Sequence, residues 1–440
     1  MSRRGPAWPR NARGRAGAPP WRGWTQSAFS HSLLAGLASQ GVLVISGPLV
    51  ARLLGVQGRG ALAFVTVVAL ICSQVFGAGL STSVSYHLAR QPVGARSGLW
   101  RYVPLWLCLL MAAGLTTDSV LVAAGTERLG SWFLVAAGLL APVLMIQQMA
   151  MAILQGERRF GEFNLLRVLP ALFYAMATAV LYLFVGHASV LAVLACSVAA
   201  GAGAGVLAAR GIRRGPASPT PVTIDAPGLL RYGLLSLVGT AAPLTTLNPD
   251  QVLVGLVLST RDLGLYVVAC AFANLTPLLL HSIGMIAEPR LAAASSDAAR
   301  RTITVRVCAL GVMVGCGATV AVLAIMPLAV RVFFGAPFAG AVPVARILIV
   351  AGLFLGLRML LSAVLLGWGQ PHLPSIAEGA SLVALVASLP LLAIAFGLDG
   401  AAYALALSAG LAVAMLGRNV SRLGRSVTPV PGRVGRPFPT

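Results

Sequence analysis

Long apolar runs alternate with short polar breaks along the whole chain, and within each run the apolar residues are continuous. A helix needs about 20 apolar residues to cross a bilayer core of about 30 Å, and the runs have that length. A membrane barrel would instead show a two-residue alternation over about ten residues. The pattern predicts an all-α polytopic membrane protein with about twelve transmembrane helices. The expected spans are roughly 29–51, 61–88, 99–123, 130–153, 163–185, 189–209, 229–257, 263–287, 303–326, 341–365, 373–395 and 400–417. No soluble domain fits between them. The longest polar insert, 210–228 (RGIRRGPASPTPVTIDAPG), follows the sixth span and divides the chain into two six-helix lobes. The expected organisation is a disordered basic tail (1–28), an N-terminal lobe (29–209), a cytoplasmic linker (210–228), a C-terminal lobe (229–417) and a second basic tail (418–440).

Composition agrees with this pattern and adds an orientation. Of 440 residues, 58% are hydrophobic and 10% charged. Net charge is +21, and every basic residue is Arg. An even number of spans puts both termini on one side. That side receives about 24 Arg, against about 5 on the other (Arg52, Arg59, Arg128, Arg261, Arg331) and about 3 within spans. The positive-inside rule makes the first side cytoplasmic, as in a multi-pass protein of a bacterial inner membrane. Nucleic acid is not an expected partner, because the Arg residues are spread over many loops and form no single basic face. The twin Arg of SRRG precedes a full-length span, so neither a signal peptide nor a twin-arginine export signal is expected.

Catalytic and metal chemistry is not legible. The six cysteines fall inside spans without C-x-x-C spacing, and the five histidines are scattered. No phosphate loop, zinc motif or nucleophile elbow is present. No metal, cofactor or enzymatic activity is expected.

The two halves share a landmark. ARLLGVQGRGALAFV (51–65) and GLVLSTRDLGLYVVA (255–269) both join the first and second spans of their half, and Gly60 falls opposite Gly264. Arg90 and Arg290 each mark the inner end of a second span. Halves with an even number of spans insert in the same orientation, as parallel repeats around a central site.

With LQGERRFGEFNLLRV (154–168), NPDQVLVGLVLSTRDLGLYVVA (248–269), EPRLAA (288–293), FFGAPFAGAVPVARIL (333–348), LGWGQPHL (366–373) and FGLDGAAYALALS (396–408), the chain resembles bacterial oligosaccharide and polysaccharide flippases from about 30 to 417. These belong to the exporter superfamily that also holds the multidrug and toxic-compound extruders and the lipid II flippase. The resemblance implies two six-helix lobes around a central cavity. It also implies alternating access that carries a polyprenyl-pyrophosphate-linked glycan from the inner to the outer leaflet, for cell-surface polysaccharide biosynthesis. Glu288 departs from the pattern, which has an apolar residue before Pro289 and Arg290. Membrane lipids, and a glycan polymerase with glycosyltransferases, are the implied partners.

Such a substrate needs cations for its phosphates, and Arg offers a planar fork that stays charged. Arg358 is the sharpest candidate, because a charge near mid-bilayer costs about 2.5–3.5 kcal/mol or more and should face a cavity or a partner. Arg346, Arg167, Arg90 and Arg290 lie nearer span ends, where snorkelling to headgroups is the alternative. Asp250 follows Pro249 in a polar stretch that includes Asn248, and such a break is tolerated at membrane depth only in a protein interior or a wet cavity. Two roles fit it: a coupling site for H⁺ or Na⁺, or a carboxylate that pairs with a luminal Arg. At 1.5 Å per residue, Asp250 lies about 30 Å along its helix from the inner end and Glu378 about 8 Å along its own. That depth difference of about 20 Å predicts that no single ion bridges them, leaving Glu378 as the partner of an Arg near the inner face. Gln40, Gln74, Gln147, Gln148, Asn164 and Asn274 are sugar-facing candidates, with helix-to-helix hydrogen bonding the alternative for each. Rival functions are an ion-coupled small-molecule exporter on the same fold, and a membrane-embedded glycan-assembly enzyme or scaffold.

Overall fold

The structure, a computed structural model, describes residues 21–77, 79–89, 99, 102–125, 130–214, 228–229, 231–233 and 248–425. The first half contains α1 (Trp21–Gly77), α2 (Leu80–Ala89), α3 (Val103–Ala123), α4 (Ser131–Gly156), α5 (Phe160–Val185) and α6 (Val190–Arg214). The second contains α7 (Pro249–Val257), α8 (Thr260–Ala273), α9 (Leu275–Ala292), α10 (Asp297–Ala329), α11 (Ala341–Gly367) and α12 (His372–Arg425). No strand occurs among the described residues. The fold is the expected all-α, two-lobe membrane bundle.

Nine stretches of the described residues are long and apolar enough to span a membrane. The expected number was about twelve. The difference has a local cause. The first and second spans are not separated by a loop but run together as α1, broken at Gly55 (φ 65°, ψ −175°). The eleventh and twelfth run together as α12, broken at Gly397 (φ 61°, ψ −137°). Glycine adopts this left-handed geometry without a Cβ clash, so the chain reverses with no intervening loop. Most of the seventh expected span lies outside the described residues, which resume at Asn248.

The repeat is visible in backbone geometry. After Gly156, Arg158 adopts φ 60°, and after Gly367, Gly369 adopts φ 74°. The amide of Arg159 donates to Leu154 O, and that of Gln370 to Leu365 O, both at 2.9 Å. A Cβ on Gly156 would come within 2.9 Å of Ser85 O and 2.8 Å of Leu88 Cβ. One on Gly367 would come within 2.9 Å of Glu288 O and 2.7 Å of Leu291 Cβ. In each lobe the fourth membrane helix thus ends in the same turn, pressed onto the second. In the first lobe Arg159 adds a clasp. It pairs with buried Glu157 at 3.2 Å and with Glu162, and donates to Gly211 O of α6 at 2.7 Å.

The lobes meet at the face opposite the Arg-rich loops, around Gly55, Ser259 and Gly335. A Cβ on Gly60 would collide with Thr260 O, and a Cβ on Gly264 with Val56 O. The contact is reciprocal, as a two-fold relation between repeats requires. Lipid offers helices little hydrophobic drive to associate, so close backbone approach at small residues carries the packing. Arg52 of α1 adds a crossing bond. Its Nε donates to Phe333 O at 2.9 Å and its Nη2 to Val332 O. Those carbonyls belong to a π-helical turn, Val330–Phe334, that ends α10 and leaves acceptors unpaired within the helix. Val50, Leu62 and Phe64 share one apolar core with Val254, Leu263, Phe334 and Phe338. Toward the Arg-rich end, among the described residues, the apolar clusters stay within single lobes except for Leu229, the first residue of the second lobe, which packs on α2.

Candidate functional site

A cavity of about 80 Å³ opens inside the second lobe, lined by Asn248, Asp250, Asn274, Arg358, Glu378 and Ser381 among others. Each polar wall has a local origin. Asn248 adopts a left-handed backbone (φ 45°, ψ 53°), and Pro249 begins α7 after it. Proline suits the first helical position because its missing N–H has no partner there. Asp250 then occupies the first turn of α7, where free amides and the helix dipole favour a carboxylate. It is 6% exposed. The hydroxyl of Tyr266, fully buried on α8, donates to Asp250 Oδ2 at 3.0 Å.

Across the cavity, Arg358 of α11 is 3% exposed and its Nη1 lies 3.1 Å from Glu378 Oε2 on α12. Arg358 Nε has no hydrogen-bond partner among the described residues. Ser381 Oγ donates to Ser408 O, and Ser408 Oγ to Leu405 O, each at 3.0 Å. A hydroxyl that donates to the backbone still has lone pairs to offer a cavity guest. The site therefore combines two carboxylates, one guanidinium, two amides and two hydroxyls around one cavity. Such a set can take up a proton or a small cation, and it can exchange partners among its own charges.

Two expectations change here. Asp250 and Glu378 line one cavity, although their helix positions implied a separation of about 20 Å in depth. Rise per residue converts to depth only for straight helices along the membrane normal, and the chain is broken at Asn248. Glu378 does pair with an Arg, but that partner is Arg358, well inside its span. Asp250 takes its hydrogen bond from Tyr266, where an Arg was one of the two expected partners.

The remaining candidates are dispersed. Arg346 on α11 and Arg290 in the last turn of α9 are exposed. Arg167 is exposed on α5, with its guanidinium against Gly36 of α1. Arg90 and the side chain of Gln40 lie outside the described residues. Gln147 packs on Gly201 of α6, and Gln148 Nε2 donates to Ser73 Oγ at 3.5 Å. Gln74 is half-buried, and Asn164 Oδ1 is buried without a partner among the described residues. Asn274 reaches the cavity from the junction of α8 and α9. Sequence reasoning missed Tyr266, Ser381 and Ser408, which read as ordinary span residues. It also missed Asp118 on α3, packed against Gly138 of α4 with Oδ1 buried and unpartnered among the described residues. An acid inside the third span was the available signal.

A model of the family described as polysaccharide biosynthesis protein matches residues 25–295, more than half of the chain. The chain belongs to that family. No curated protein matches it significantly. Among solved structures, it is similar to an inward-facing multidrug resistance MATE family transporter of the MOP superfamily. The identity is 14%, the TM-score 0.70, and the coverage 88% of this chain and 96% of that one. It is similar also to the lipid II flippase MurJ in an inward closed conformation, at 13% identity and TM-score 0.71. That match covers 89% of this chain and 87% of the other. An outward-facing MATE transporter superposes at TM-score 0.51, with 16% identity over 91% of this chain and 94% of that one. These likenesses establish the shared fold.

Proposed function

We propose that this protein is a flippase that carries a polyprenyl-pyrophosphate-linked oligosaccharide from the inner to the outer leaflet by alternating access. The observation that carries the mechanism is the one-sided closure of the bundle. The lobes share a core and interlock at Gly60 and Gly264 on one face, while toward the Arg-rich end, among the described residues, the second lobe reaches the first only through its opening residues, Leu229 and Tyr232. The Arg-rich face is taken as cytoplasmic. This is the form of a transporter closed on its outer face. The family's description and the fold shared with a lipid II flippase support a lipid-linked glycan as substrate.

Within this reading, Arg358 serves the lobe interior through Glu378, and the phosphate contacts fall to the exposed Arg167, Arg346 and Arg290, with Arg90. Asp250 and Tyr266 form the unit that takes up H⁺ or Na⁺. A specific observation also favours a second reading: two carboxylates in one cavity would suit export of a small cationic molecule. Cells depleted of the protein separate the two. Lipid-linked glycan that accumulates in a form inaccessible from outside supports the flippase, whereas cationic-drug sensitivity with normal surface glycan supports the exporter.

A further inference from the structure

A second cavity lies at the Arg-rich end of the first lobe, among α2, α3, α4 and α6. Its volume is about 290 Å³, near the lower edge of the ~300–1,000 Å³ typical of small-ligand pockets. The walls are almost wholly apolar and include Val84, Trp106, Ile153 and Ile212. No residue of α7–α12 lines it. It is thus separate from the polar cavity of the second lobe. Among the described residues Arg213 is its one charged wall, on the last turn of α6, and is exposed. Arg210 and Arg214 beside it are exposed as well.

We propose that this pocket holds an acyl chain of an anionic membrane phospholipid, with the lipid phosphate on Arg213. Three features lead there. Apolar walls at the end of a membrane bundle have hydrocarbon as their natural filling, since an unfilled void forfeits dispersion contacts on every lining atom. A basic group at the mouth of a pocket between membrane helices selects an anionic headgroup. The position almost wholly on the first lobe, with Leu229 the one lining residue of the second among the described residues, lies away from the polar cavity and from the interlocked face, and suits a resident lipid better than a transported one. The bound chain would also steady the end of the linker. Leu229 lines the pocket, its carbonyl accepts from Ser83 Oγ at 2.7 Å, and Tyr232 nearby stacks on Tyr86 of α2 at 4.3 Å.

The test is native mass spectrometry of the full chain released from nanodiscs, with phosphatidylglycerol and phosphatidylcholine as probes. The parent should retain phosphatidylglycerol in preference to phosphatidylcholine. Arg213→Gln, at an exposed position that should not disturb folding, should lower that preference roughly fivefold, as expected for one basic group at a lipid surface. Ala209→Trp, which fills the pocket from α6, should reduce retention of both lipids. Equal retention of the two lipids by the parent, or unchanged retention by both variants, would overturn the site. Displacement of phosphatidylglycerol by polyprenyl phosphate at lower concentration would overturn its assignment as a phospholipid site and make it a seat for the carrier.

Discussion

At the scale of single residues, the polar cavity contains two bonds whose removal has opposite corollaries. The Arg358–Glu378 pair is buried on both sides. Arg358→Ala should cost about 3–5 kcal/mol, because it leaves a buried carboxylate without its cation. The double variant Arg358→Ala with Glu378→Ala should recover much of the loss in a thermal unfolding assay. If the double variant is as unstable as the single, the pair is not what holds α11 to α12. The Tyr266–Asp250 bond is different, since one side is neutral. Tyr266→Phe should lower stability by about 1–3 kcal/mol by removing one of the donors to a buried carboxylate, which keeps its backbone amide donors. Asp250→Asn preserves shape and still accepts from Tyr266. That variant should fold and insert normally but lose its response to an imposed H⁺ or Na⁺ gradient in proteoliposomes. An unchanged response to both gradients would leave Asp250 a structural residue.

At the scale of elements, the interlocked face rests on backbone approach between α1 and α8. Ala at position 60 places a methyl into Thr260 O, and Ala at position 264 places one into Val56 O. Each change should push α1 and α8 apart and favour the state open on that face. Spin labels at 57 and 261 in a cysteine-free background would report the shift as a longer separation. Arg52→Gln should act in the same direction more weakly, because it removes donors to Val332 and Phe333 without adding a clash. Distances that match the parent in all three variants would show that the face is held elsewhere. The opposition of Gly60 and Gly264 was legible in the sequence, since both follow a polar turn at the same place in their halves. The matching turns after Gly156 and Gly367 were not, because ERR and WGQ share no chemistry and only their backbone agrees. The reversals near Gly55 and Gly397 were legible as breaks between spans, at 52–60 and 396–399, but that one left-handed glycine makes each was not, because glycine is common within membrane helices.

At the scale of the whole molecule, apolar run length was enough to read the fold class, while the polar cavity was read only in part. Asp250, Asn248, Glu378, Asn274 and Arg358 were each identified as polar intrusions in apolar spans, and the structure gathers them around one space. Their convergence was not legible because helix position says little about depth once a chain is broken at Asn248. Orientation rests on charge asymmetry. Cysteines introduced at 127 and 262 should react with an impermeant reagent from outside intact cells, and one at 218 should not; labelling at 218 would reverse the orientation. Movement of a lipid-linked glycan between leaflets is the property on which the proposed function rests. Its most direct measurement uses proteoliposomes with the glycan lipid in both leaflets and an impermeant glycosidase added outside. The parent protein should expose the inner-leaflet pool to cleavage over time, beyond the plateau of protein-free vesicles. Cleavage that stops at the protein-free plateau, with the protein folded and inserted, would contradict it.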